Sequence, residues 1–392
     1  MNPPAPGFWN CLIREWAVLR RPREQCALLW IPLAAMVICW AIFSRGVAQD
    51  LPVAVIDQDA SAASRQLVRW IDATSRLRVT VRPASLEEGW AAVRRGDAYG
   101  LVLVPRDFAR DLKRGRSVEL PAWYNAGFLP VANVVASDLQ SAAAHFGAAL
   151  EVRGRLARGE VRPIATVRLN PIAAQRTTLF NPPLNYGPFL VPGIVAAILH
   201  IAAMLAAVRG VGREMRAGTA PAWLASAGGS RWAALAGKLV LPLGVHVGLG
   251  LGLLIVWHGV LGWPLRGSAI LLAAGMVALL SAYYALGAAV VLVMSNHRLA
   301  SSVAAFVTAP ALAFGGVTFP LEAMPLPAWA WGRLLPLTSF LQLQIEQTTR
   351  GAPVATSLPQ FAVLVAFTLV GGAVALALVR RRATQPASWG HL

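Results

Sequence analysis

From Ala269 to Met294 the chain runs 26 residues without one charged side chain. A helix rises about 1.5 Å per residue, so this run outspans the roughly 30 Å hydrocarbon core of a bilayer. Similar apolar runs occur at Ala27–Phe43, Pro188–Val208, Ala233–Trp257, Ser301–Phe319 and Leu358–Val379. The expected fold class is an α-helical membrane protein with six transmembrane helices, carrying one inserted extracytoplasmic α/β domain between the first and second. Ala27–Phe43 is short and contains Pro32, which lipid-embedded helices tolerate. A signal peptide is its rival reading. Against that, the run starts late, no small-residue cleavage pattern follows Phe43, and five more runs come after it.

Charge supports the same class. Hydrophobic residues make up 56% of the chain and charged residues only 14%, yet the formal net charge is +17. A basic chain invites a nucleic-acid reading, but no basic-aromatic module accompanies the charge. Outside residues 45–187 the basic residues cluster at the ends of apolar runs, where they act as topology signals. Arg14, Arg20, Arg21, Arg23, Arg209, Arg213, Arg216, Arg231, Arg298 and Arg380 to Arg382 fall on one side. The opposite short loops hold Arg266, Arg333 and Arg350. The positive-inside rule then puts both termini in the cytoplasm and residues 44–187 outside. Lys238 and Trp257 are read as span edges, where Lys snorkels and Trp prefers the interface.

Cys11, Cys26 and Cys39 are the three cysteines. An odd number, with none in the inserted segment, argues against a disulfide framework, and no zinc spacing is present. Phe8, Trp9, Leu12, Ile13, Trp16 and Leu19 recur at helical spacing, with Arg14, Glu15 and Arg20 elsewhere on the turn. They predict an amphipathic helix in the cytoplasmic interface, ended by Pro22. A polar extension of the first span is the alternative.

Within the insertion, strand patterns at Leu51–Ile56, Leu77–Val81, Tyr99–Val104 and Val118–Tyr124 alternate with helical patterns at Ser61–Ala73, Ser85–Arg95 and Pro105–Arg114. A long helix over 131–158 follows. Ser61 and Ser85 are the expected caps, with Glu88 at capping-box distance from Ser85. Asp57, Asp59 and Asp72 form the nearest thing to a carboxylate cluster. Without a paired His, a nucleophile or a metal spacing, turn and cap chemistry accounts for them better than catalysis does.

These patterns lead to a resemblance. "LPVAVIDQDASAASRQLVRWIDA" and "RRGDAYGLVLVPRDFARDLKRG" resemble the extracytoplasmic domain of ABC transporter permeases of the ABC-2 type, in the multidrug-export branch. So does "FNPPLNYGPFLVPG", with Asn181, Pro182, Asn185 and Tyr186 at the entry to the second span. "REMRAGT" resembles the family's cytoplasmic signature at Arg213, Glu214, Gly218 and Thr219, and Gly237-Lys238 opens the third span as in the family. "FGGVTFPLEAMP" and "LLPLTSFLQLQ" resemble its outer segment, with Gly315, Gly316, Pro320, Pro325 and Pro336. One departure stands out: "APAWLASAGGSRW" follows Gly-Thr where the family has a Glu/Leu-rich helix, although Trp223 and Leu224 remain as anchors toward a partner.

The resemblance implies a division into a cytoplasmic elbow helix (1–26), a first span (27–43), an extracytoplasmic domain (44–187), spans two to six (188–382) and a cytoplasmic tail (383–392). A coupling loop at 209–232 and an outer re-entrant segment at 320–357 fall within the span region. It implies the permease subunit of an exporter of hydrophobic or amphipathic substrates in the inner membrane. The chain has no P-loop: Gly237-Lys238 lacks the upstream Gly, and Leu239 stands where Ser or Thr is needed. No cofactor is expected on this chain, and ATP with Mg would belong to a separate ABC ATPase subunit. The other expected partners are a second permease copy or a related permease, and a periplasmic adaptor or outer-membrane channel; nucleic acid is not among them. Glu214, alone among basic neighbours, is expected to touch the ATPase or the elbow helix, or else to pair locally with Arg213 or Arg216. His200 and His246, inside spans, are either functional or interhelical hydrogen bonders. The runner-up function is a non-transporting receptor or scaffold whose outer domain binds a partner.

Overall fold

The computed structural model describes residues 5–44, 46, 48–114, 116, 118–127, 129–157, 181 and 185–385. The chain forms two compact units, Met1–Ser44 with Leu179–Leu392, and Arg45–Thr178.

In the first unit, α1 (Phe8–Leu19) precedes α2 (Pro22–Phe43), whose entry contains a π-helical turn at Cys26–Trp30. Pro22 takes the first helical position of α2, where its missing N–H costs nothing. The remaining long helices are α7 (Tyr186–Arg216), α9 (Arg231–Val260), α10 (Ala269–Met294) and α14 (Val354–Thr384). Short helices α8 (Ala220–Ser226), α11 (His297–Thr308), α12 (Leu326–Arg333) and α13 (Pro336–Ile345) connect them. With α2, five described helices are long and apolar enough to cross a membrane.

α10 is the centre of this unit and packs between α7 and α14. A methyl group on Gly287 of α10 would lie 2.6 Å from the Met204 carbonyl oxygen of α7. Only a residue without Cβ lets the two backbones meet so closely, and lipid offers no hydrophobic drive to replace that packing. His246 links three helices: its Nε2–H donates to the Leu28 carbonyl at 2.9 Å, and Tyr284 Oη–H donates to its Nδ1 at 3.0 Å. His200 Nδ1 lies 3.2 Å from the Ala196 carbonyl and Nε2 3.3 Å from that of Thr308. Of the two readings of these histidines, the geometry displays interhelical bonding.

Three expectations need correction. The run Ser301–Phe319 is not one α-helix: α11 stops at Thr308 and tight turns follow through Gly316. Pro310 has no N–H to give, and Gly316 takes a left-handed φ of +77°. The second helix runs on to Arg216, so the first third of the expected loop 209–232, residues 209–216, belongs to α7. Trp257 is 2% exposed and stacks on Trp263, so it does not sit in an aromatic belt.

In the second unit, β1 (Leu51–Asp57), β2 (Leu77–Val81), β3 (Gly100–Val104) and β4 (Ala122–Tyr124) form one sheet in the order β2-β1-β3-β4. β1 is parallel to both neighbours, and β4 is antiparallel to β3. Parallel neighbours require crossovers, supplied by α3 (Ala62–Asp72) and α4 (Leu86–Arg95). Side chains alternate across the sheet as its pleat dictates. Val53, Val55, Val102 and Val104 pack with α3, α5 (Phe108–Lys113) and α6 (Leu129–Ala157), while Ala54, Ile56 and Leu101 pack against α4. A bidentate Arg76–Asp138 pair fastens α6 to the strand side.

The three candidate carboxylates, Asp57, Asp59 and Asp72, are taken up by backbone N–H groups and a hydroxyl. Asp57 accepts from the Asp59 and Ala60 N–H groups and from Ser64 Oγ. Asp59 accepts from the Ala109 N–H, and Asp72 from the Val79 N–H. Ser61 and Ser64 complete a reciprocal capping box at α3. Ser85 caps α4 by accepting from the Glu88 N–H, while Glu88 reaches back to the Ala84 N–H rather than to Ser85.

Candidate functional site

Lys238 lies about two turns into α9, at the level where α1 and the C-terminal end of α7 converge. Its ammonium is 1% exposed and sits 2.7 Å from Glu15 Oε2 and 2.8 Å from Glu214 Oε1. The two carboxylates have further donors. Arg14 reaches Glu214 Oε2 at 2.6 Å, Thr219 Oγ–H donates to the same oxygen at 2.6 Å, and Arg213 holds Glu15 Oε1 at 2.8 Å. Arg213 also approaches Glu24 at 3.4 Å. Three cations thus face three carboxylates, and Arg14, Glu15, Arg213, Glu214 and Lys238 belong to three different helices.

Burying an ion costs several kcal/mol unless pairing and hydrogen bonds answer it. Here every buried carboxylate oxygen named has a charged or hydroxyl partner, which is what makes the burial tolerable. Glu214 therefore joins the elbow helix through Arg14 and α9 through Lys238, in place of a local pair with Arg213 or Arg216.

The backbone around the cluster is equally specific. The Gly7 N–H donates to the Ser226 carbonyl at 2.9 Å, tying the start of α1 to the end of α8. Cys11 is buried, with Sγ 3.5 Å from the Ala234 carbonyl, and burial pushes its thiol pKa up. A methyl group on Gly237 would lie 2.7 Å from Cys11 Cβ and 3.0 Å from the Phe8 carbonyl oxygen, so glycine there is what lets α1 lie against α9. Trp223 is fully buried: its Nε1–H donates to the Ala234 carbonyl and its ring lies 5.5 Å from Lys238 Nζ.

Trp223 and Leu224 are thereby internal to this chain rather than presented outward, because the divergent loop folds its aromatic back over Lys238. The loop's exposed positions are Arg216 to Thr219, Pro221, Ala222, Ala225 and Gly228 to Trp232. On α1, Trp9, Ile13 and Trp16 are half or more exposed while Cys11 and Glu15 are buried. Of the apolar stripe read from the sequence, Trp9, Ile13 and Trp16 face away from the protein, while Leu19 packs against its core and Glu15 faces in.

At the opposite end of α7, Asn185 caps the helix by accepting from the Gly187 N–H at 2.8 Å. Asn181 Nδ2–H donates to the Asn185 carbonyl, and the Asn185 N–H donates to Asn181 Oδ1. Tyr186 stacks on Phe43 at 6.5 Å. Pro182 lies outside the described residues. Gly315 and Gly316 sit in the turns after α11, Pro320 precedes a 3-10 turn, Pro325 caps α12, and Pro336 opens α13. These outer residues and the Lys238 cluster are separate constellations in the first unit.

Lys238 and Glu15 are the residues sequence reasoning missed as functional candidates. Their one signal was the paucity of acids among the basic flanks: Glu15, Glu24 and Glu214 stand among many arginines. Among the described residues no group of three or more His, Cys, Asp or Glu could hold a metal ion.

Comparison with known proteins agrees with this architecture. The family model described as "ABC-2 family transporter protein" matches residues 24–377. The chain is similar to the probable multidrug ABC transporter permease YbhR of Escherichia coli (strain K12), 23% identical over 375 residues that cover 96% of this chain and 98% of the relative. It is also similar to the inner membrane transport permease YhhJ of the same organism, 26% identical over 391 residues, covering 96% and 97%.

Proposed function

The chain belongs to the ABC-2 family of transporter proteins, and on that premise we propose that it moves a hydrophobic or amphipathic substrate outward across the inner membrane. It is a multi-pass transport permease subunit, and its family implies an ABC ATPase partner. ATP and Mg are held by that partner. Two permeases, identical or related, form the membrane core, and an adaptor or outer-membrane channel receives the substrate beyond it.

The proposed topology has six spans with both termini cytoplasmic and residues 44–187 as the extracytoplasmic domain. Five spans are the long helices. The remaining one is α11 with its following turns: 12 α-helical residues plus about eight in tighter winding reach about 34 Å, enough for the hydrocarbon core. The segment 320–357 then re-enters from the outside.

Coupling runs through the exposed part of loop 209–232 and through α1. The observation that carries this is the buried Lys238 bridge between Glu15 and Glu214. The ATPase presses on Arg216 to Ala222; because Glu214 is bound to Lys238 and to Thr219, and the Trp223 ring lies beside Lys238, α8, α1 and α9 move as one body. Arg213, Glu214, Gly218 and Thr219 are positioning residues in this scheme, and Trp223 with Leu224 form its inner anchor.

The test is substrate-stimulated ATP hydrolysis in a reconstituted complex. Glu214→Gln and Lys238→Met should lower stimulation while leaving the basal hydrolysis of the ATPase alone unchanged. Wild-type stimulation in both variants, with the complex intact, would remove the coupling role.

A further inference from the structure

A cavity of about 670 Å³ opens at the end of the bundle where α7 begins, between that end, the far end of α9 and the C-terminal part of α13. That volume suits a ligand of drug or single-chain lipid size. Its lining combines two chemistries. Phe189 and Trp263 offer an apolar side, and Trp263 is backed by the stacked Trp257 ring. The polar side carries Arg266, Arg350, Gln344 and His258, and no Asp or Glu lines the cavity among the described residues.

Two polar groups on that side are unanswered. Gln344 is 3% exposed, and its Nε2 has no hydrogen-bond partner. His258 donates from Nδ1 to the Trp263 carbonyl, so its buried, unpaired Nε2 is an acceptor and calls for a donor such as a hydroxyl on the ligand. A buried amide left without a partner is costly and rare in a native protein. Arg350 is exposed and forms no ion pair among the described residues, so its charge is available to a ligand, while Arg266 donates to the Thr349 carbonyl. The unpaired Gln344 N–H groups and the Arg350 guanidinium therefore call for an acceptor-rich, negatively charged group beside an apolar body.

We propose that this cavity binds an anionic amphiphile, its carboxylate, sulfonate or phosphate head on Arg350 and Gln344 and its apolar body along Phe189 and Trp263. Charge-assisted hydrogen bonds from guanidinium are the strong ones, and the buried amide supplies directionality. The head could belong to a membrane lipid or to a free amphiphile. The proposal deepens the export reading by naming a chemical class of cargo, and only the identification of the ligand as cargo rests on that reading.

The test uses the full-length chain in phosphatidylcholine nanodiscs, without ATPase or nucleotide, so its outcome is independent of coupling. A dansyl-labelled undecanoate and the matching dansyl-labelled alkylamine are titrated, and binding is read by dansyl fluorescence. The carboxylate should bind tighter than the amine by about tenfold or more, and Arg350→Glu should abolish that preference. Gln344→Leu should weaken carboxylate binding several-fold without changing amine binding. Equal binding of the two probes, or an unchanged preference in Arg350→Glu with an unchanged unfolding temperature, would overturn the proposal. Adding phosphatidylglycerol to the nanodisc separates the sources. Displacement of the probe marks a lipid headgroup site, and retention marks a site for free amphiphiles; either result upholds an anionic site.

Discussion

Lys238 Nζ lies 2.7 Å from Glu15 Oε2, a buried bond between residues 223 positions apart that joins the N-terminal helix to a membrane helix. Removing one member of a buried ion pair leaves the other charge in low dielectric, which typically costs about 3–5 kcal/mol. Lys238→Met should accordingly lower the unfolding temperature of the purified permease. Glu15→Gln combined with Lys238→Met should cost less than the two single losses added together. Thermal unfolding of the four proteins closes that cycle, and strict additivity would mean the pair is not coupled.

Cys11 reports on the same docking. Its side chain is buried against the Ala234 carbonyl, and burial raises the thiol pKa, so little thiolate is present near neutral pH. With Cys26 and Cys39 replaced by Ser, Cys11 should resist a water-soluble maleimide in the native protein. Because the folded pKa is raised, labelling should increase only as pH rises above the ordinary thiol range. Adding Glu15→Gln should free α1 and bring labelling back at neutral pH; mass spectrometry of the labelled peptide gives the extent.

Gly237 tests whether close approach matters apart from charge. A methyl there meets Cys11 Cβ at 2.7 Å and the Phe8 backbone oxygen at 3.0 Å, and the backbone contact cannot yield by a rotamer change. Gly237→Ala should push α1 off α9 at a cost of about 1–3 kcal/mol, the usual price of overpacking. Faster hydrogen exchange in α1, with unchanged exchange in α10, is the expected pattern.

Much of this was legible in the sequence, for reasons that differ by element. Ala269–Met294 was readable to the residue because Ser268 caps it and Ser295, in left-handed conformation, ends it, with no charge between. β1 to β3 were readable because their apolar runs give way to turn residues: Asp57 at the end of β1, Pro83 after β2 and Pro105 after β3. Ser301–Phe319 misled because hydropathy counts methylenes and does not register the N–H missing at Pro310. The Lys238 cluster was hidden because a lysine at a span edge looks the same whether it snorkels to water or meets Glu15 and Glu214. Only the packing of α1 on α9, set by Gly237, decides between them.

Asp57 makes a separate prediction in the second unit. Its carboxylate holds two backbone N–H groups and Ser64 Oγ at the end of β1. Asp57→Ala removes those acceptors and should cost about 1–2 kcal/mol, in the range of losing a helix cap. Hydrogen exchange should accelerate in peptides covering β1 and α3. Substrate-stimulated ATP hydrolysis should persist in the folded complex, since the carboxylate serves a turn; its complete loss would point to chemistry at this site.

The last prediction separates a specific lattice of charges from a merely neutral one. If Glu15 and Lys238 were an isolated pair, exchanging them as Glu15→Lys with Lys238→Glu would restore attraction. The surroundings forbid it. A lysine at position 15 would meet the guanidinium of Arg213, which now holds Glu15 at 2.8 Å, and a glutamate at 238 would meet Glu214, now 2.8 Å from the ammonium. Like charges at such distances inside a protein repel strongly. The swapped protein should therefore be less stable than Lys238→Met and should couple ATP hydrolysis no better. Lys238→Arg, which keeps the sign, should retain more of both. Recovery of wild-type unfolding temperature and stimulation by the swap would show that Arg213 and Glu214 do not belong to the cluster's balance.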